Sequence, residues 1–370
     1  MDFRFTDEQQ EIRAAIKKLL SELVTDLELK ALAKDGKWFA ERAWKALADA
    51  GMLGLSLPES VGGAGMGLFE LVLLLGQVGR TVAPLPAVAT LVSAARPIAA
   101  FGTEEQKQRL LPGVVTGETI LSAALVNYDS VDARTPTATA TKVDGGYAVT
   151  GTFTNVPFVA EATRILLAAK VGTSIGVFLL DPKAKGVTVT RQLGTNGEPL
   201  AELVLAGAVV ASTDVLGDEA SGRAILDRVV DETTLALCAV EHGVAEGALY
   251  MTANYAKERK QFGVPIGTFQ GVTQRLGDAY IDLEAMKVTL FQATFRMSEG
   301  LDHTSALAVA KFWASEGGAR ITAAAQHIHG GMGFDRDYAV HRYFLTSKHL
   351  EFTLGSAPAQ LARLGELVCG

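Results

Sequence analysis

The sequence predicts an α+β fold, a small β domain set between two helical regions, and three observations predict it. Up to about residue 118, apolar residues recur at helical spacing. From Thr119 to about Asp218 the pattern shortens to alternation broken by Gly and Pro. Beyond that it returns to helix, in longer and more apolar stretches. The expected domains are therefore residues 1–118, 119–218 and 219–370, the last an antiparallel four-helix bundle with short connections.

Each element has its own signal. "DEQQEIRAAIKKLLSEL" carries a helical apolar stripe, with Thr6 as N-cap and Gln9 three residues later, the spacing of a capping box. "FAERAWKALADAGMLGL" is a second amphipathic helix, ended by Gly51 and then Pro58. "GTEEQKQRLLPG" has acidic residues in its first turn, which suits the helix dipole, and a proline expected to stop it. In "ARTPTATATKVDGGYAVTGTF" small and apolar residues alternate around Gly145 and Gly146, a hairpin signal, and short strands follow. The long stretch from Arg223 to Phe262 has few breakers, and three more helices are expected to begin near Phe269, His303 and Asp337. The near all-round apolarity of these long helices points to a bundle buried against other subunits, since a surface helix keeps a polar face.

Composition narrows the function. The 370 residues are 48% hydrophobic and 20% charged, with net charge −7 and no basic run of the kind that binds nucleic acid. Two cysteines, Cys238 and Cys369, supply neither a metal cluster nor a disulfide framework. The opening residues are charged from the second onward, and no apolar run reaches membrane-spanning length, so the expectation is a cytoplasmic protein without membrane insertion.

The stretch "QHIHGGMGFDRD", Gln326 to Asp337, invites three readings: a metal site, a phosphate cradle, or a helix closed by a glycine turn. His327 and His329 stand at i and i+2, which do not share a helix face, and no Cys or acidic partner lies near them at ligand spacing, so no metal is expected. A helix end closed by glycines is physically sound.

"GMLGLSLPESVGGAGM", "FGTEEQKQRLLPGVVTGE", "YAKERKQFGVPIGTFQGV" and "QHIHGGMGF" together resemble motifs of the acyl-CoA dehydrogenase family, in the family's order and across nearly the whole chain. The resemblance implies that family's fold, FAD as cofactor, and α,β-dehydrogenation of an acyl-CoA thioester. It assigns Arg259, Phe262, Gln270, His327, Gly330, Gly331 and Gly333 to the grip on the pyrophosphate and ADP portion of an FAD held by a neighbouring subunit. Glycine there admits close approach and positive φ, so Gly331→Val is expected to obstruct both. Arg259 would hold pyrophosphate bidentately; the other reading is an ion pair at a helix end. His327 stands where the family usually has Gln.

Other family features are absent. "AALVNYDSVDA" has Val126, Asn127 and Tyr128 in place of Thr, Glu and Pro, and the flavin-facing Trp-Ile-Thr strand aligns with Asn155, Val156 and Pro157. Leu354 occupies the usual place of the catalytic Glu, and the alternative place on the long helix is Thr233, beside Glu232. Glu241, mid-helix in apolar surroundings, is the remaining candidate base; the other reading is a buried Glu satisfied by a neighbour. This combination resembles one subunit of the bacterial α2β2 acyl-CoA dehydrogenases. It implies a second acyl-CoA dehydrogenase-like subunit, a bulky or steroid-derived acyl-CoA, a role in lipid or steroid degradation, and an electron-transfer flavoprotein as acceptor. A self-sufficient homotetramer using Glu241 and a flavin-free structural subunit are the alternatives.

Overall fold

Helices open the chain: α1 (Asp7–Leu23), α2 (Asp26–Lys34), α3 (Glu41–Asp49) and α4 (Leu68–Arg80), then a π-helical stretch (Val88–Ala95) running into α5 (Arg96–Phe101), and α6 (Glu104–Val115). Strands follow: β1 (Leu121–Ala124), β2 (Val126–Asn127), β3 (Thr139–Val143), β4 (Gly146–Pro157), β5 (Arg164–Val171), β6 (Ser174–Leu180), β7 (Val187–Leu193), β8 (Pro199–Ala211) and β9 (Val215–Leu216). The helices α7 (Gly222–Glu258), α8 (Gln270–Ser298), α9 (Thr304–His329), α10 (Val340–Phe352) and α11 (Ala357–Cys369) complete it, with β10 (Lys260–Gln261) and β11 (Val264–Pro265) between α7 and α8. This computed structural model describes residues 5–130, 132–218 and 220–369. The first four residues, Val131, Glu219, where the third domain was expected to begin, and Gly370 lie outside the described residues.

By packing, the chain divides into two units: Met1–Ala40, Leu68–Pro84 and Leu235–Gly370 in one, Glu41–Gly67 and Leu85–Thr234 in the other. In the second unit the sheet runs β7-β8-β4-β3-β5-β6-β9, with β1 pairing parallel to β5 and β2 antiparallel to β4. The β3–β4 hairpin turns at Asp144–Gly145, where Gly145 has φ 75°. Phe153, Val156, Leu167, Phe178 and Leu203 fill the core of this sheet.

In the first unit the capping box at Thr6 and Gln9 starts α1. A close crossing joins α4 to α7: a Cβ on Gly79 would lie 1.9 Å from the Val240 carbonyl oxygen, and one on Gly243 would lie 2.0 Å from that of Gly76. The backbones touch there with no side chain between them. Leu235, Ala239, Val244, Ala245 and Ala248 of α7 are buried, and Ala245 and Leu249 pack with Ala279, Leu283 and Met286 of α8 and Ile321 of α9. Much of the apolarity of α7 is thus covered inside its own chain, while Tyr250 on the same helix is exposed. Exposed apolar residues on α8 include Tyr280, Ile281 and Val288.

Pro112 does not stop its helix: α6 runs through it to Val115. The N–H it lacks would have met the carbonyl of Gln108, an exposed residue whose carbonyl can bond water instead. A fourth helix after α7, namely α11, was also not expected.

Candidate functional site

The short strands after α7 pair through a two-residue loop, Phe262–Gly263, with φ of 53° and 81°. Positive φ at both loop residues is the type I′ geometry that suits the twist of a hairpin. Glycine accepts it freely; phenylalanine does not, at a cost of about 1–2 kcal/mol. Phe262 is nonetheless 94% exposed, its ring meeting Phe269 edge-on at 6.2 Å. Arg259 is fixed at both backbone groups: its N–H donates to Tyr255 and its carbonyl accepts from Ile266 (both 2.8 Å), while its side chain is exposed. The hairpin leads into α8, which begins with exposed Gln270, has no side-chain N-cap and carries no acidic residue in its first turn. The positive end of a 29-residue helix and a guanidinium therefore lie in one short segment, an arrangement suited to an anion.

The glycine turn closes α9. Gly330 has φ 60° and ψ −130°, and its N–H donates to the His327 carbonyl. Positive φ thus falls on Gly330 and not on Gly331, which corrects the backbone part of the expectation for Gly331. A Cβ on Gly331 would meet nothing within 4 Å, whereas one on Gly333 would lie 2.5 Å from the Gln326 carbonyl oxygen. Gln326 donates from Nε2 to the Gly333 carbonyl (3.1 Å), closing the turn, while His327 is exposed. His329 is buried; its Nδ1–H donates to the Ala325 carbonyl (2.8 Å), Nε2 has no partner, and burial lowers its pKa. Tyr255 stacks on it at 4.3 Å. Since Tyr255 lies one turn before Arg259, the stack brings the Arg259 hairpin and the glycine turn to the same end of the bundle. Among the described residues no group of three or more His, Cys, Asp or Glu could hold a metal.

At the positions the resemblance assigns to the flavin ring, several polar groups have partners within the chain, while the Asn155 and Tyr128 side chains are exposed. Asn155 (φ 55°) lies in a register shift of β4 and gives its N–H to the Gln192 side chain (3.1 Å). Val156 is 1% exposed and Pro157 has no N–H to offer. The Asn127 side-chain oxygen accepts from Thr137 N, Thr137 Oγ1 and Ala138 N (3.2, 3.2 and 3.3 Å). Glu232, beside the alternative base position, is gripped by Arg96 and Arg228, and Thr233 donates to the Ser93 hydroxyl (2.9 Å).

Glu241 is 2% exposed, on the face of α7 against α9 and α10. Ser347 donates to its Oε1 at 2.5 Å, Oε2 has no partner, and a Cβ on Gly318 would lie 1.9 Å from Oε1. Burial pushes its pKa up to about 8, against the opposing pull of the Ser347 hydrogen bond and the Lys311 charge. Lys311, equally buried, donates to Ser315 Oγ (3.1 Å) and to the carbonyls of Leu350 (2.8 Å) and Glu351 (3.4 Å). It thereby caps α10 just before Leu354 (φ 54°) and Gly355 (φ 99°). The sequence reading missed Lys311, although a lone Lys in the apolar run "ALAVAKFWAS" was a signal for it.

Glu241 makes stability depend on pH. A carboxyl whose pKa rises from 4.5 to about 8 on folding is protonated in both states below pH 4.5. As pH rises from there to 8, the unfolded chain ionises first, and the stability this group supplies is lost, on the order of 5 kcal/mol at most. Glu241→Gln, which mimics the neutral acid, should therefore gain thermal stability relative to wild type between pH 5 and 8.5. Parallel melting curves across that range would show that Glu241 does not titrate in it.

Residues 6–118 match the model of the acyl-CoA dehydrogenase N-terminal domain, and residues 221–368 that of the acyl-CoA dehydrogenase C-terminal domain. The acyl-CoA dehydrogenase FadE27 of Mycobacterium tuberculosis is 36% identical over 375 residues, covering 99% of this chain and 98% of its own. The chain belongs to the acyl-CoA dehydrogenase family. Members are FAD-dependent oxidoreductases, and the order of N-terminal helices, central sheet and C-terminal helices here is the family's fold. Among solved structures, a variant of the steroid ACAD Tcur3481-Tcur3483 aligns with TM-score 0.92 and 41% identity over 98% of each chain. The ChsE4-ChsE5 complex from Mycobacterium tuberculosis aligns with TM-score 0.94 and 36% identity over 100% of this chain and 99% of its own. No helix of the described residues is long and apolar enough to cross a membrane. The donor set around Arg259 fits the anionic half of FAD; on β4, buried Val156 and Pro157, which has no N–H, do not fit its ring.

Proposed function

We propose that this chain is one subunit of an α2β2 acyl-CoA dehydrogenase, supplying the ADP side of the FAD site to a partner that holds the flavin ring, the catalytic base and the thioester. The observation that carries this is the contrast between two regions of the chain. Arg259, the uncapped start of α8 and the exposed Phe262 stand ready for an anion and a neighbour, while Val156 is buried, Pro157 has no N–H for the ring and Leu354 stands in the usual place of the base. When bound, FAD accepts the hydride from the β carbon of the acyl group. In this reading Arg259 pairs with the pyrophosphate, Gln270 and His327 hydrogen-bond beside it, and the backbone at Gly330 and Gly331 passes close to it. Glu241, closed in by Gly318 and Ser347, serves the fold, so Glu241→Gln should leave turnover of the assembled enzyme within a few-fold of wild type. The steroid ACAD and ChsE4-ChsE5 likenesses support a bulky, steroid-type acyl-CoA as substrate and an unlike partner subunit. The electron acceptor in this reading is an electron-transfer flavoprotein, and the compartment is the cytoplasm.

Coexpression with the product of a neighbouring acyl-CoA dehydrogenase-like gene is the test. Flavin colour only in the coexpressed complex is the expected result. Colour in this chain purified alone would mean a self-sufficient enzyme, and no colour in either case a structural subunit. Within the complex, Gly331→Ala should leave the subunit folded, since its methyl group meets open space in this chain, and yet lower flavin content. Full flavin content in that variant would remove Gly331 from the cofactor site.

A further inference from the structure

One motif of the sequence is not used by the flavin site. "GMLGLSLPESVGGAGM" folds as a loop tied to itself: Gly63 N–H donates to Pro58, Ala64 to Gly54, Gly65 to Leu57 and Met66 to Leu55, at 2.8–3.0 Å. A Cβ on Gly63 would lie 2.2 Å from the Leu57 carbonyl oxygen, so the loop admits no side chain there. This rigid loop forms one wall of a cavity of about 230 Å³, with Leu57, Pro58 and Met66 facing Ala99 and Ala100 of α5. At that spot the π-helical stretch ends and α5 begins, with Arg96; such departures from α-helix are frequent at functional sites.

Two guanidinium groups line the same cavity. Arg96 grips Glu232 with Nε (2.7 Å) and an Nη (3.0 Å), and Arg228 reaches the same carboxylate with Nε (2.9 Å). The Arg228 guanidinium also stacks over the Phe101 ring at 5.6 Å, which holds its plane while leaving the in-plane N–H groups of its outer edge available. Glu232 is 5% exposed and Arg228 41%, so the neutralised side is buried and the surplus charge faces the opening. Two cations share one anion, leaving a single positive charge against apolar walls.

We propose that this cavity binds a compact monoanionic organic carboxylate, its oxygens on Arg228 and its carbon chain against Leu57, Pro58 and Met66. A single surplus charge matches one carboxylate better than a dianionic phosphate. The volume of about 230 Å³ leaves room for a short-chain carboxylate. The loop is already fixed, so binding orders little.

Butyrate is the probe, with butyramide as the uncharged equivalent, at matched ionic strength on the full chain and on the coexpressed complex. Saturation-transfer NMR and titration calorimetry should detect butyrate and not butyramide, and Arg228→Met should weaken butyrate roughly tenfold or more. Arg228 is half-exposed and its loss leaves the Arg96–Glu232 pair in place, so the variant should remain folded. Equal binding of butyramide, unaltered butyrate affinity in Arg228→Met, or no butyrate signal in wild type would each overturn the proposal. Flavin content plays no part in this readout, so the outcome is independent of the role proposed for Arg259.

Discussion

Gly243→Ala is expected to cost about 3 kcal/mol of stability or more, the upper part of the range for overpacking a core. The added methyl would stand 2.0 Å from the Gly76 carbonyl oxygen and 2.7 Å from the Arg80 nitrogen. Both are helix backbone, so neither can step aside as a side chain would; α4 and α7 would have to separate. The denaturant midpoint of the purified chain, followed by circular dichroism, checks this. Gly365→Ala in α11 is the control, because its methyl meets nothing within 4 Å and a helical Gly→Ala change should be neutral or gain up to about 1 kcal/mol. Equal midpoints for the two variants would mean that the crossing tolerates a side chain.

Arg259→Ala should lower the affinity of the assembled complex for FAD tenfold or more while leaving the chain folded. A charge-assisted hydrogen bond is worth roughly 1.5–3 kcal/mol, and Arg259 contributes no packing, since its side chain is exposed. Arg259→Lys should fall between the two, keeping the charge but losing the planar fork. Flavin-to-protein ratio after dialysis, and affinity by flavin fluorescence, are the measurements. Unchanged values in both variants would exclude Arg259 from the site.

What the sequence made legible was mostly local. Thr6 and Gln9 are three residues apart, and the capping box they announce is present. Asp144 and Gly145 mark the turn of a hairpin whose strands alternate on either side. The spacing from Arg259 through Phe262 to Gln270 could be read from the family motif, because hairpin and helix start lie within twelve residues of chain. What stayed hidden depends on partners far away in sequence. Gly76 and Gly79 look like weak points in a helix until Gly243 and Val240 are brought against them. The π-helical stretch at Val88–Ala95 has a composition equally suited to α-helix. The pairing of Glu232, beside the alternative base position, with Arg96 spans 136 residues.

The hairpin at Phe262 bears on how this chain was selected. An aromatic residue held in water, in a backbone conformation suited to glycine, is not the choice that would minimise the free energy of the isolated subunit. Asn or Gly at 262 would relax the turn, so selection for heat resistance of the lone chain should favour losing Phe262. Selection for function in the complex should restore it. The same position would thus be a liability in one assay and a requirement in the other, and the sign of its effect would tell which state of the protein an experiment is measuring.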